Sequence, residues 1–349
     1  MRRQALAGPS LWSGADLAAS ADWRFRLTPA MTDELDAALR SLGGRSWEAL
    51  RPGDFAAPLT AGLLAQVAAQ LEQGRGLALV SGLPVERYDE ADLRRLWYGL
   101  GLLLGRPVSQ SNAGLRMKII QDEGAAAPAL HGKVETANGT FLGSYSRAVS
   151  TGPLRFHTDR TDVVGLLCAG QSASGGLSKV ASTLAVHNEL LRRRPDLLEL
   201  LWQPYPRSRL GEEAGGESLH YLLPVFGLRD GQITSHYSRT FIEASQLQPD
   251  APRLSAAQVE AMDLLHQVAD ELCHRMTLAP GDLQFVNNHV VYHARDAFAN
   301  DPGTGQVRRL FRLWLAMPNS RALPADHAVL WGDVAAGALR GGIAVAGTP

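Results

Sequence analysis

The residues best suited to chemistry are His157 and Asp159, which flank Thr158 in the run Leu154-Arg155-Phe156-His157-Thr158-Asp159-Arg160. Side chains alternate along an extended chain, so a His-x-Asp pair presents an imidazole and a carboxylate on one face. That is half of a facial metal site. Residues 281–295 offer the other half. There, 283–286 and 290–293 read as strands joined by the turn residues Asn287-Asn288, and this hairpin carries His289 and His293. One of the two is enough to complete the set. Two imidazoles and a carboxylate leave other positions of a metal open. Non-haem Fe(II) oxygenases need such openings for a co-substrate and O₂. Zinc accepts the same ligands around an activated water. The chain has ten histidines, and a histidine on an apolar strand is more often packed than ligating, so the spacing alone leaves these readings open.

Such residues need a frame, and the hydrophobic pattern supplies one. Buried-strand patterns fall at 76–82, 116–121, 163–168, 178–182 (after a Gly175-Gly176 turn), 276–278 and 307–317. Residues 219–241 alternate around a turn at Asp230-Gly231. Helical spacing places one helix after Thr32, with Leu35, Ala38, Leu39 and Leu42 in phase, and others over 58–73 and 89–105. A further helix breaks near Pro195, and Ser255 with Gln258 forms a capping box that opens another. Trp12 and Trp23 are expected to anchor the irregular start. Residues 122–152, rich in Gly, Ala and Ser, read as a long binding loop. No repeat or linker interrupts this order. The expectation is a mainly β fold with flanking helices, built as a sandwich or jelly roll. Its divisions are a helical N-terminal extension over 1–75, a core domain with helical and loop insertions over 76–330, and a flexible Gly/Ala-rich tail over 331–349.

Composition narrows the function. Of 349 residues, 45% are apolar and the net charge is −1, so nothing draws the chain electrostatically to nucleic acid or to an anionic membrane. The basic run Arg192-Arg193-Arg194 sits in a leucine-rich helical pattern and reads as a solvated helix end. Cys168 and Cys273 are far apart, which argues against a disulfide framework and suits a reducing compartment. Met1-Arg2-Arg3 lacks a following apolar stretch, so a cytoplasmic protein is expected, acting on a small molecule and possibly as a homo-oligomer.

His157-Thr158-Asp159, Gly175-Gly176, Asn287-Asn288-x4-His293-x-Arg295 and Arg308-x-x-x-Arg312 together resemble the taurine dioxygenase/clavaminate synthase-like (TauD/TfdA) superfamily of Fe(II)- and 2-oxoglutarate-dependent dioxygenases. The similarity in motif order and spacing runs from about residue 76 to 317. It implies a double-stranded β-helix (cupin-like jelly roll) with Fe(II), 2-oxoglutarate and O₂ as cofactor and co-substrates. The resemblance makes His157, Asp159 and His293 the metal ligands and leaves His289 beside the turn. It implies that Arg308 holds the remote carboxylate of 2-oxoglutarate, a task that suits a planar guanidinium fork. Ser178 stands where the family often has Thr and keeps the hydroxyl. Halogenating relatives lack the carboxylate that Asp159 provides, so halogenation is disfavoured; the resemblance implies hydroxylation as the expected outcome, with desaturation, cyclisation or cleavage open to the same iron chemistry.

Strand parity supports Arg308 separately. Over 307–317, Arg308, Leu310, Arg312 and Trp314 share one face, and Arg309 shares the other with Phe311 and Leu313. Arg312 is left with three uses: assisting the co-substrate, meeting a substrate anion, or a buried structural ion pair. Gln110, Tyr145, Arg147, Tyr237 and Arg239 are candidates for substrate contact, each with ordinary packing or surface roles as the plainer reading. The competing functions are a zinc-dependent hydrolase and a non-catalytic ligand-binding barrel. The first does not explain Ser178 or an arginine fifteen residues after His293, and the second has no need for all three ligands.

Overall fold

The computed structural model describes residues 4–124, 147–209 and 218–345, together with the backbone of 133–136 and 139–142. Two sheets dominate these residues. Their strands, in chain order, are β1 (Arg24–Arg26), β2 (Leu77–Ser81), β3 (Arg106–Pro107), β4 (Met117–Gln121), β5 (Leu154–His157), β6 (Val163–Gly170), β7 (Ser178–Ser182), β8 (His274–Met276), β9 (Leu283–Asn287), β10 (Val291–Arg295) and β11 (Arg309–Ala316). The larger sheet runs β1-β2-β9-β6-β11, with β3 and β4 both bonded to the far side of β11. The smaller runs β8-β7-β10-β5. Consecutive strands thus alternate between the sheets at several points, as in a jelly roll.

The larger sheet is buried on both faces, and period two sorts its residues. Val164, Cys168, Val286, Leu310 and Trp314 face one hydrophobic cluster with the smaller sheet. Val163, Leu167, Leu283, Phe285, Phe311, Leu313 and Leu315 face a second cluster on the opposite side. That outer cluster is completed by α1 (Pro29–Ser41), α2 (Pro58–Gln73) and α3 (Glu90–Leu104), which supply Leu35, Leu64, Val67, Leu96 and Trp97. Two more helices, α4 (Thr183–Arg193) and α7 (Ala256–Leu272), cover the smaller sheet, α5 (Pro195–Leu201) packs on both helices, and α6 (Arg239–Ser245) lies between α5 and α7 in sequence. Each fully buried Leu, Val or Phe contributes roughly 1.5–3 kcal/mol. Surface ion pairs such as Arg94–Glu90 contribute about 0–1 kcal/mol each. Burial therefore holds the helices on the sheets.

Several expectations shift. Helix α1 begins at Pro29, with Thr28 as its cap, and Thr32 lies inside its first turn, donating its hydroxyl to the Pro29 carbonyl. Proline at the first helical position moves the start upstream. Residues 239–245 are helical, so the alternating stretch after Ser235 ends earlier than its pattern suggests. Trp12 and Trp23 are buried anchors. Within the stretch read as a flexible tail, Trp331, Arg340 and Ile343 are buried. Its glycines permit close approach to neighbouring backbone, a use that composition cannot distinguish from fraying. Among the described residues no helix is long and apolar enough to cross a membrane.

Candidate metal centre

Register brings the two histidines together. Strands β5 and β10 are antiparallel neighbours with His157 directly opposite His293, and opposed residues point to the same face. Their ring centroids are 4.1 Å apart. Asp159 completes the group. Its Oδ1 lies 3.7 Å from His157 Nε2, its Oδ2 lies 3.8 Å from His293 Nε2, and one donor atom from each residue falls within 4.8 Å of the others. His289 is not part of it. That imidazole is buried against Asp162, with Nε2 2.8 Å from Oδ1, and bonds Thr234 through Nδ1.

Asp159 is not held by strand pleating as the His-x-Asp spacing suggests. Strand β5 ends at His157, and Thr158 turns to bond Tyr237, donating its N–H to that carbonyl at 2.8 Å. Three other groups place the carboxylate. Its own amide donates to Asn288 Oδ1 at 2.9 Å, Trp314 Nε1 donates to Oδ2 at 2.9 Å, and Arg312 Nη1 lies 3.5 Å from Oδ2. Asn288 was read as turn chemistry, and it does sit in the turn; its bond to Asp159 spans 129 residues and has no local signal. Trp314 lies on the inward face with Arg312, which parity does show.

Protonation states suit a cation. His157 Nδ1 donates to the Arg155 carbonyl at 2.9 Å, which leaves Nε2 with its lone pair toward Asp159. Burial lowers the His157 imidazole against the pull of Asp159. Burial, with the neighbouring His157, pushes His293 down to about 3. Burial alone would raise the Asp159 carboxyl, but Arg312, His293, His157 and the Trp314 N–H overcome it and hold it below the usual carboxylate range. Neutral imidazoles beside an ionised carboxylate are the forms that bind a metal.

A second polar group lies in the same barrel. Arg308 is buried, and its Nη1 has no hydrogen-bond partner. It packs 5.4 Å from the Phe298 ring centroid, and Arg295 packs on the same ring at 4.8 Å. Burial pushes Arg308 down to about 10, so it stays charged at neutral pH. Gly176 makes room for it: this residue has φ +70°, and a Cβ there would stand 3.3 Å from Arg308 Cδ. Ser178, on β7, donates its hydroxyl to Gln284 Oε1 at 3.1 Å, so its proton is already engaged across the two sheets. Gln284, not singled out from sequence, faces inward by the alternation of β9.

The parity argument holds. Arg309 turns outward to pair with Glu90 on α3, while Arg312 Nε donates to Gln110 Oε1 at 2.8 Å. Gln110 is thereby committed, because its Nε2 also donates to the Arg116 and Arg312 carbonyls. Arg239 is likewise committed, to Glu243 and Asp263. Tyr237 is buried with its ring 6.0 Å from that of Tyr292. Arg147 is half-buried and sits in the turn that Arg295 grips, where Arg295 donates to the carbonyls of Ala148 at 3.0 Å, Ser150 at 2.7 Å and Gly152 at 2.5 Å. Tyr145 lies outside the described residues.

Two imidazoles on facing strands of a jelly roll, with a carboxylate from the loop just past one of them, suit a non-haem metal oxygenase type of centre. The comparisons agree with it. Residues 38–314 match the family described as "Taurine catabolism dioxygenase TauD, TfdA family". The chain is 32% identical to the FR-33289 synthase of Streptomyces rubellomurinus, over 96% of this chain and 97% of that one. It is 27% identical to a taurine hydroxylase-like protein of Stachybotrys chartarum, over 86% of this chain and 77% of that one. Among solved structures, an asparagine oxygenase with Fe(II), 3-hydroxyasparagine and succinate has a TM-score of 0.62 at 16% identity, covering 90% of this chain and 99% of that one. The non-haem iron oxygenase OrfP, with Fe, succinate and 3-hydroxyarginine, has a TM-score of 0.59 at 15% identity, covering 84% and 93%. The chain belongs to the TauD/TfdA family. It is an Fe(II)- and 2-oxoglutarate-dependent dioxygenase, and the hydrolase and non-catalytic readings of the same residues are not favoured.

Proposed function

We propose that His157, Asp159 and His293 hold the iron, that Arg308 holds the remote carboxylate of 2-oxoglutarate, and that the reaction is hydroxylation of a small polar molecule. The observation that carries this reading is Arg308. It is a buried guanidinium with an unpartnered Nη1, in the barrel that holds the ligand cluster. A buried cation without a partner is unfavourable, and a bound carboxylate relieves that cost.

The iron, with 2-oxoglutarate and O₂, supplies C–H oxidation coupled to release of succinate and CO₂. The protein's residues do the rest. His157 is fixed in one tautomer by the Arg155 carbonyl. Trp314 and Asn288 orient Asp159. Arg312, braced by Gln110, sets the angle of that carboxylate and adds positive charge beside the open face. Ser178 serves as a second donor to the co-substrate once its hydroxyl turns from Gln284. Phe298 keeps the guanidiniums of Arg295 and Arg308 apart and shields them from water.

The polar substrate class draws on the relatives, whose names include an asparagine oxygenase, an OrfP complex with hydroxyarginine and a taurine hydroxylase-like protein. The two cysteines are both free and buried, which fits a cytoplasmic location. We read 76–330 as the catalytic unit, with a helical extension over 1–75 packed on it. The test is succinate release across a panel of amino acids, amino sulfonates and other small anions, with product mass recorded. A substrate that gains one oxygen atom is the expected result. Substrate-stimulated succinate release with loss of two hydrogens and no added oxygen would replace hydroxylation with desaturation.

A further inference from the structure

The back of the metal loop is closed by a segment that the mechanism above does not use. Asp162 lies three residues past Asp159 and gathers four donors. Its Oδ1 accepts from Arg340 Nε at 2.8 Å and from His289 Nε2 at 2.8 Å, and its Oδ2 accepts from the Met317 N–H at 2.9 Å. Its backbone carbonyl accepts from the Asn288 N–H at 2.9 Å. Asn288 in turn accepts the Asp159 N–H through Oδ1. A continuous path of hydrogen bonds therefore runs from Arg340 through Asp162 and Asn288 to the amide of the ligand residue.

The same segment grips the loop at two further points. The Gly342 N–H donates to the Arg160 carbonyl at 2.7 Å, and the Ile343 N–H donates to the Ser109 carbonyl at 2.9 Å. Ser109 precedes Gln110, which braces Arg312, which faces Asp159. Gly341 and Gly342 have φ of +73° and +71°. A Cβ on the first would stand 2.9 Å from the Arg160 carbonyl oxygen, and one on the second 2.9 Å from that of Ser109. Arg340 is 2% exposed. Its other nitrogens are spent on the carbonyls of Ala335 and Arg321, so this guanidinium is fully committed to Asp162 and to backbone.

We infer that residues 340–343 form a strap that positions the metal loop, with Arg340 acting on Asp159 through Asp162 and Asn288. Arg340 is a positioning residue, touching neither metal nor substrate. The inference rests on the assignment of Asp159 as a metal ligand. A purely structural Arg340 would lower thermal stability alone. A positioning Arg340 changes metal binding in molecules that remain folded.

The test uses Co(II) as the probe in the full-length chain. Affinity is read by titration, and coordination by the visible d–d bands. Arg340→Gln is expected to weaken Co(II) binding about 10- to 100-fold, the usual effect of losing an outer partner of a metal ligand, and to alter the bands. Arg340→Lys recovers part of the loss. Leu35→Ala in α1, a buried residue of the outer cluster, serves as the destabilised control and keeps wild-type affinity. If Arg340→Gln does not fold, Gly342→Ala carries the test, because it keeps Arg340 with Asp162 and presses on the Ser109 carbonyl; the same direction of loss is expected. Wild-type affinity and bands in a folded strap variant would overturn the inference. Wild-type Co(II) binding in His157→Ala would instead overturn the metal-site assignment beneath it.

Discussion

The two ends of the site balance their charges in opposite ways. At the metal end, Asp159 is met by Arg312 at 3.5 Å and by Trp314 at 2.9 Å, with two imidazoles held neutral beside it. At the other end, Arg308 and Arg295 share the Phe298 ring, and neither is ion-paired to a carboxylate among the described residues. The first group is satisfied within the protein and able to take a cation. At the second, Arg295 is spent on the carbonyls of Ala148, Ser150 and Gly152, while Arg308 keeps a buried Nη1 without a hydrogen-bond partner among the described residues. Desolvating a charge without a partner is costly, and this asymmetry is why we propose Arg308 as the group that receives the anion.

Breaking the metal end has the largest expected effect. His157→Ala or Asp159→Ala removes a ligand, and substrate-dependent succinate release should fall by more than the roughly 10- to 100-fold that follows loss of an outer partner. Steady-state assays with saturating Fe(II) check this. Arg308→Met comes next. Removing one member of a buried, hydrogen-bonded charge pair costs about 2–5 kcal/mol, so the KM for 2-oxoglutarate should rise between about 30- and 4,000-fold with metal affinity little changed. The comparison sharpens without any ligand. Arg308→Met should raise the apo Tm, because it removes an unpaired buried cation, whereas Arg312→Met should lower it, because it strips a partner from buried Asp159. The two shifts, each about 1–3 kcal/mol, should have opposite sign in calorimetry.

Acid weakens the fold around the site in a defined window. His289 and His293 are held down by burial, to about 4 and about 3, from 6.5. Below 6.5 the unfolded chain takes up protons that the folded chain refuses. The stability carried by these neutral imidazoles is therefore complete above pH 6.5 and is lost progressively as pH falls toward 4 and then 3. The apo Tm, followed from neutral pH to about pH 4.5, should decline. A level profile would contradict the burial of neutral histidines. Ser178→Ala has the smallest expected effect. One neutral hydrogen bond contributes about 0.5–1.5 kcal/mol, so the KM for 2-oxoglutarate should rise roughly 2- to 12-fold. The same assay used for Arg308 measures it.

The site was legible in proportion to how local its logic is. The family resemblance selects His293 over His289; the His-x-Asp spacing singles out His157 and Asp159, and period two places Arg308, Arg312 and Trp314 on one face, with Arg309 turned to Glu90. The last two signals lie within a few residues of chain. The bonds that hold Asp159 do not: Asn288 is 129 residues away and Trp314 is 155. Gln110 has the look of a substrate contact because it is polar and near the loop, yet its amide is consumed by Arg312 and two carbonyls. Arg340 was hidden for a related reason. Its Gly-rich neighbourhood resembles a frayed tail, while the glycines serve tight backbone contacts that only the folded chain reveals. The turn at Asn287-Asn288 is present, but its flanking strands go to different sheets rather than forming a hairpin, and the start of α1 moves from Thr32 to Thr28 because a proline at the first helical position shifts the cap without changing the hydrophobic phase.

The central claim is that one barrel holds iron at His157, Asp159 and His293 and the co-substrate at Arg308. Anaerobic addition of Fe(II) and 2-oxoglutarate, followed by visible absorption, tests both ends at once. Wild type should develop a weak charge-transfer band. His157→Ala should show none at any 2-oxoglutarate concentration. Arg308→Met should regain the band only at much higher 2-oxoglutarate. No band in the wild type, or an unchanged 2-oxoglutarate dependence in Arg308→Met, would contradict the account.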